Sequence, residues 1–180
     1  MLTDAQIERW SRQILLPDVG GRGHVRMLAA RLGVLGGGLA AGVAVDLLRR
    51  AGLPVACGVV PRVAEVVVDL DEGDVARPVA APDTPLVRGC VAGAAGSVVT
   101  LVGRPCARCA PSWAPPATTP GHLLAPVAGR VLASLAAAEA MRVVLARPAG
   151  GRRHVFDLDA GTFSSEALAG DGCAACGGRR

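Results

Sequence analysis

The chain has no lysine, no asparagine and no tyrosine in 180 residues. All 19 of its basic residues are arginine, so a lysine contact to a phosphate is excluded. Two tryptophans and two phenylalanines are its only aromatics besides histidine. That is too few for the stacking platforms that hold single-stranded nucleic acid. The net charge of +4 comes from scattered arginines, so no nucleic-acid partner is expected. No apolar run reaches the roughly 20 residues of a membrane span without a charge or proline. The polar start, Met1 to Arg9, lacks the basic-then-apolar order of a signal peptide. A cytoplasmic location is therefore expected, with no membrane partner. With 51% hydrophobic and 19% charged residues, the chain is read as one globular domain over 1–180.

What the chain does have is two tight cysteine pairs. Cys106 and Cys109 form one C-x-x-C, and Cys173 and Cys176 form another. Two intervening residues let both sulfurs of a pair turn toward one ion, and two pairs complete a tetrahedral, all-thiolate zinc site. Such a site is closed to water and substrate, so the zinc would be structural. The alternative is a pair of surface redox or disulfide couples. Cys57 and Cys90 fall in apolar runs and read as small hydrophobes of the core. His24, His122 and His154 have no partner nearby in sequence. For His122 and His154, surface or capping places are expected; His24 carries no motif.

Asp4 to Trp10 reads as a helix with Thr3 or Asp4 as N-cap, and His24 to Ala29 as another. Arg31 to Leu35 is a short strand, followed by Gly36-Gly37-Gly38 and a helical pattern over 39–51. The turn reads Gly36-x-Gly38-x-x-Ala41, which fits the dinucleotide fingerprint: a sharp turn, close phosphate approach, tight helix packing. A plain tight turn of an α/β protein fits the same residues. Strands are expected over 55–60, 63–70, 86–90 and 97–102, and a long, nearly all-apolar helix over 125–145. Residues 153–158 and 162–168 predict a hairpin leading into the second cysteine pair.

Several of these segments together resemble the MoeB/ThiF/HesA family, bacterial relatives of the ubiquitin-activating enzymes. They are Arg9-Trp10-Ser11-Arg12-Gln13-Ile14-Leu15-Leu16-Pro17, the glycine turn, Val66-Val67-Val68-Asp69, Pro85 to Gly89, the paired C-x-x-C, Ala137-Ala138-Glu139-Ala140 and Phe156-Asp157. The resemblance implies a truncated Rossmann-like α/β sheet with a glycine-rich turn, a four-cysteine zinc knuckle and a C-terminal hairpin. Residues 1–30 would form a helical opening segment, 31–103 a shortened core, and 104–180 the knuckles, long helix and hairpin. It also implies binding of ATP and magnesium, adenylation of a ubiquitin-like or sulfur-carrier protein ending in Gly-Gly, and work as a dimer in which Arg12 reaches the partner's nucleotide.

The chain departs from that pattern after Val60. The place of the acid that holds the ribose is taken by Val60. The asparagine, arginine-glutamine and lysine that follow in the family have no counterpart. The family's catalytic aspartate falls near Asp71 or Glu72, either of which could hold magnesium; a solvated acidic turn with Asp74 is the simpler reading. The nucleotide residues would be Gly36, Gly38 and Ala41. Three readings follow: a catalytically impaired half that dimerises with itself or with a full-length homologue and lends Arg12; an active ATP-dependent adenylyltransferase; or a carrier- or peptide-binding module without nucleotide. A dinucleotide-dependent oxidoreductase is disfavoured, since no acid follows the second strand.

Overall fold

A computed structural model describes residues 2–70, 81, 83–106, 108, 121–146, 150–168 and 174–177. Four α-helices are seen among them: α1 (Asp4–Ile14), α2 (Gly20–Ala29), α3 (Leu39–Arg50) and α4 (Ala125–Ala146). Seven strands form one sheet: β1 (Leu32–Leu35), β2 (Val55–Cys57), β3 (Val66–Asp69), β4 (Leu86–Ala92), β5 (Ala95–Leu101), β6 (Gly151–Asp157) and β7 (Thr162–Leu168). Their order is β2-β1-β3-β4-β5-β6-β7. The first four in that order run parallel, and β4 to β7 form an antiparallel meander. The mixed α/β sheet and its closing hairpin are as expected. No helix among the described residues is long and apolar enough to cross a membrane.

Local chemistry explains the element boundaries. Thr3 caps α1 in a reciprocal box: its hydroxyl accepts the Gln6 amide (3.3 Å), and its own amide donates to Gln6 Oε1 (2.9 Å). The Trp10 indole donates to Arg50 O (3.4 Å) and so ties α1 to the C-terminal end of α3. Helices α3 and α4 cover one face of the sheet. Leu32, Leu48, Val66, Val68, Ala133 and Ala136 are fully closed off there. Each large aliphatic side chain so buried is worth about 1.5–3 kcal/mol. Helix α4 therefore finds most of its cover within its own chain, and it carries one buried charge, Glu139.

The other face holds a smaller cluster around Leu35, Val67, Leu86, Val99 and Leu101. Here the two expected valine strands are shorter than their apolar runs. β2 stops at Cys57 and β3 begins at Val66, because β1 offers only four residues to pair with. Residues 58–65 return from β2 to β3 as coil and lie across β1 at Gly33. A Cβ on Gly33 would meet Val59 O at 2.8 Å and Pro61 Cδ at 2.9 Å. The bare glycine is what lets a coil press directly on the sheet. Val59 and Val60, expected in a buried strand, are 58% and 39% exposed.

Candidate functional site

The turn after β1 is built as the glycine pattern predicts. Gly36 has φ 114, a left-handed conformation that side chains resist. Gly38 is the extended N-cap of α3, with no side-chain cap. A Cβ on Gly37 or Gly38 would meet nothing within 4 Å, so the helix N-terminus forms an open ledge. Amides there favour anions. Ala41, at 4% exposure, lies underneath in the core and lets α3 settle on the sheet.

Beside this turn lies a buried ion pair that the sequence reading did not single out. Leu35, the residue before Gly36, pairs with Asp69 at the end of β3. Asp69 pairs in turn with Arg88 on β4. Arg88 Nε donates to Asp69 Oδ2 at 2.8 Å, and its Nη2 lies 2.6 Å from the same oxygen. Both residues are buried, at 2% and 7% exposure. The signal was available: each is a lone charge in an otherwise apolar strand. The pair and the glycine turn share the carboxyl edge of the parallel strands, where chains leave β1 toward β2 on one side and β3 lies on the other. Open α/β sheets bind ligands at such a reversal.

Of the other predicted residues, Arg12 is exposed in the last turn of α1. The Trp10–Arg50 bond holds this part of α1 at the far end of α3 from the glycine turn. Twelve helical residues separate those ends by roughly 18 Å, beyond an arginine's reach, so Arg12 does not serve its own turn. Asp71 and Glu72 lie outside the described residues, as do Cys109 and Cys173. Cys106 is buried at 1% exposure, and Cys176 is half-buried in a short turn at 174–176. Arg104, two residues before Cys106, donates from Nε to Cys176 O at 2.6 Å, which brings the two cysteine segments side by side. Their chemistry fits a soft divalent ion such as zinc. Among the described residues, no group of three or more His, Cys, Asp and Glu gathers around a possible metal.

Two expectations need correction. Cys57 is exposed, not core; it ends the short edge strand β2 and accepts from Arg49 Nη2 at 3.3 Å. His154 is buried and bonded, not on the surface. Its Nε2 lies 3.1 Å from Glu139 Oε1. Cys90 is buried as expected, and burial pushes its thiol pKa up. His122 lies just before α4, its Nδ1 accepting the Leu124 amide at 3.2 Å, and it pairs with Asp159.

The Glu139 group is a second polar cluster. Thr100 donates to Oε2 at 2.6 Å, and Arg142 donates through Nε and Nη2. Burial alone would raise the Glu139 pKa; the bonds from Arg142, Thr100 and His154 outweigh it and hold the carboxyl at about 2. A carboxylate so fully engaged is no general base near neutral pH. Thr100 pairs with Val87, one residue before Arg88, so along the strands the cluster lies almost level with the Asp69–Arg88 pair, two strands beyond β3 and against α4. Its role is to bind α4 to β5 and β6.

No family model and no curated protein matches the chain. Solved structures match it in shape. E. coli MccB is 13% identical over 95% of this chain and 72% of that chain, with a TM-score of 0.67. The E. coli MccB structure with ATP matches at 13% identity over 89% of this chain and 71% of that chain, TM-score 0.63. PaaA matches at 10% identity over 92% of this chain and 74% of that chain, TM-score 0.59. MccB is described as a microcin C7 biosynthetic enzyme and has been solved with N-formylated MccA. At these identities the likeness is one of fold: the chain has the mixed α/β, Rossmann-like fold of MccB and PaaA.

Proposed function

We propose that the chain is the catalytically impaired half of a ThiF/MoeB-like adenylyltransferase dimer, acting in activation of a ubiquitin-like or sulfur-carrier protein that ends in Gly-Gly. The observation that carries this reading is the coil at 58–65. The resemblance implies an acid for the ribose and several polar groups for the phosphates in this stretch. The coil's only charged residues are Arg62 and Glu65. Glu65 Oε2 accepts the Arg31 amide at 2.7 Å, at the edge away from the glycine turn. Without those groups, charge developing on the phosphates would lack its stabilisers, each worth about 10²- to 10³-fold in rate.

What remains supports a donor role. Arg12 is exposed and lies at the far end of α3 from its own turn, which supports a role toward a partner. A cleft of about 660 Å³ between α1–α2 and α4, lined by Leu16, Val19, Met141 and Leu145 among others, offers apolar surface for that partner. In the partner's site, ATP would supply the adenylyl group. The carrier's terminal carboxylate would attack the α-phosphorus, releasing pyrophosphate. Arg12 would hold phosphate oxygens through its planar fork. Cys106, Cys109, Cys173 and Cys176 would hold a structural zinc that fixes the C-terminal segment.

A second reading is a carrier- or peptide-binding module without nucleotide: the shared fold with MccB, solved with MccA, supports a peptide or carrier partner, while its structure with ATP does not favour loss of the nucleotide. One set of measurements separates the readings. The chain is co-purified with each full-length homologue, and pyrophosphate exchange is assayed for every combination. Background exchange by the chain alone is expected, and Arg12→Ala should lower the partner's rate by about 10²-fold or more without dissociating the pair. Robust exchange by the chain alone would restore the active-enzyme reading, with Asp71 or Glu72 holding magnesium. Carrier binding without any homologue or nucleotide would favour the module. Metal analysis should find about one zinc per chain, and Cys173→Ser should unfold the C-terminal segment as a chelator does, given apparent zinc-binding energies of roughly 10–16 kcal/mol. A folded, metal-free chain overturns the zinc assignment.

A further inference from the structure

The two edges of the sheet are treated differently. At one edge β2 is three residues long and follows Pro54. Arg49 reaches over it from α3 and donates from Nη2 to Val55 O at 3.2 Å. Short length, proline and a covering cation are the usual guards against strand pairing. At the other edge, β7 has none of them among the described residues. It is seven residues long, contains no proline or basic residue, and pairs with β6 without a bulge from Gly151↔Leu168 to Asp157↔Thr162. Residues 162–167 are all exposed, on both faces of the strand, and Phe163 alone is 59% exposed. The one charge, Glu166, is already met by Arg153 of β6, Nη1 to Oε1 at 3.7 Å.

We infer that β7 is a mating edge, and that its partner is β7 of a second copy, paired antiparallel about a two-fold axis through Ser165. The sequence of the strand is self-complementary in that register. Ser165 would face its own copy, Ser164 would face Glu166, and Phe163 would face Ala167. No like charges stand opposite one another, and each exposed phenylalanine gains the space above a small residue. An axis through Ser165 is possible whether that residue's own backbone groups point outward or toward β6, because antiparallel ladders place two-fold axes at both kinds of pair. Backbone groups of the open edge would then find partners, and the two seven-stranded sheets would run on as one. This surface is separate from α1 and the Arg12 region, so it does not depend on the adenylyltransferase reading.

The test uses charge at the axis. Ser165→Lys places two cations directly opposite, within the roughly 4.5–5.5 Å that separates facing Cβ atoms, and Ser165→Glu places two anions there. In the monomer either side chain is solvated. Sedimentation equilibrium of the full chain should show a dimer for wild type, dissociation at least tenfold weaker for each variant alone, and recovery in an equimolar mixture of the two. Hydrogen exchange at 163–167 should slow as wild-type concentration rises, which needs no variant at all. A wild-type chain that stays monomeric overturns the inference, even if its edge takes up an extended peptide instead. So does a dimer indifferent to both variants, whose contact must lie elsewhere, such as α1 and α4. Failure of the mixture to recover also overturns it.

Discussion

The Thr100 hydroxyl donates to Glu139 Oε2 across 2.6 Å, joining β5 to α4 in the interior. Around the same carboxylate stand Arg142 and His154, with Arg152 Nη1 4.0 Å from Oε1. Glu139→Ala should therefore leave a half-buried arginine and a buried histidine without their acceptor, a loss of about 3 kcal/mol. Its folded pKa of about 2 lies below the ordinary 4.5. The stabilisation is thus complete above pH 4.5 and is lost as pH falls toward 2. Denaturant unfolding of wild type and Glu139→Gln between those limits should show the wild type losing the more. Parallel curves would mean that the carboxylate contributes no net charge interaction.

His24 should destabilise the fold in mild acid. It is wholly buried against Trp10, with ring centroids 4.8 Å apart, and neither ring nitrogen has a hydrogen-bond partner among the described residues. Burial lowers its pKa below 6.5, because the charged ring would lose its water. The unfolded chain binds the proton more readily, so this stabilisation is present above pH 6.5 and declines as pH falls below it. His24→Leu should remove that part of the pH dependence and be neutral or stabilising by about 1 kcal/mol at pH 7, since an unpaired polar ring is gone. Melting curves from pH 5 to 8 decide it. A mutant with the wild-type slope would show that His24 finds a partner.

Gly33→Ala should cost about 1–3 kcal/mol, and Gly33→Val more. The added carbon would meet backbone of the 58–65 coil, which cannot move aside as a flexible side chain would. Urea midpoints measure the loss. An unchanged midpoint for Gly33→Val would mean that the coil does not press on β1.

Much of this molecule is written locally. The N-cap at Thr3, the glycine run after an apolar run and the helix over 125–145 were legible because caps, turns and periodicity act within a few residues. The two C-x-x-C spacings were legible for the same reason. The lengths of β2 and β3 were not legible. Their valine runs are longer than the strands, and only the four-residue partner β1 decides where pairing stops. The same holds for charge. Asp69, Arg88, Glu139 and His154 look like isolated residues in apolar segments, and nothing within reach along the chain pairs them except Arg142. Their partners are brought by sheet register and by α4 lying across it. The sequence alone determined where the helices, the glycine turn and the centres of most strands lie. Tertiary structure decided which charges are buried together, which edge of the sheet is left open, and that Arg12 stands at the far end of α3 from its own glycine turn.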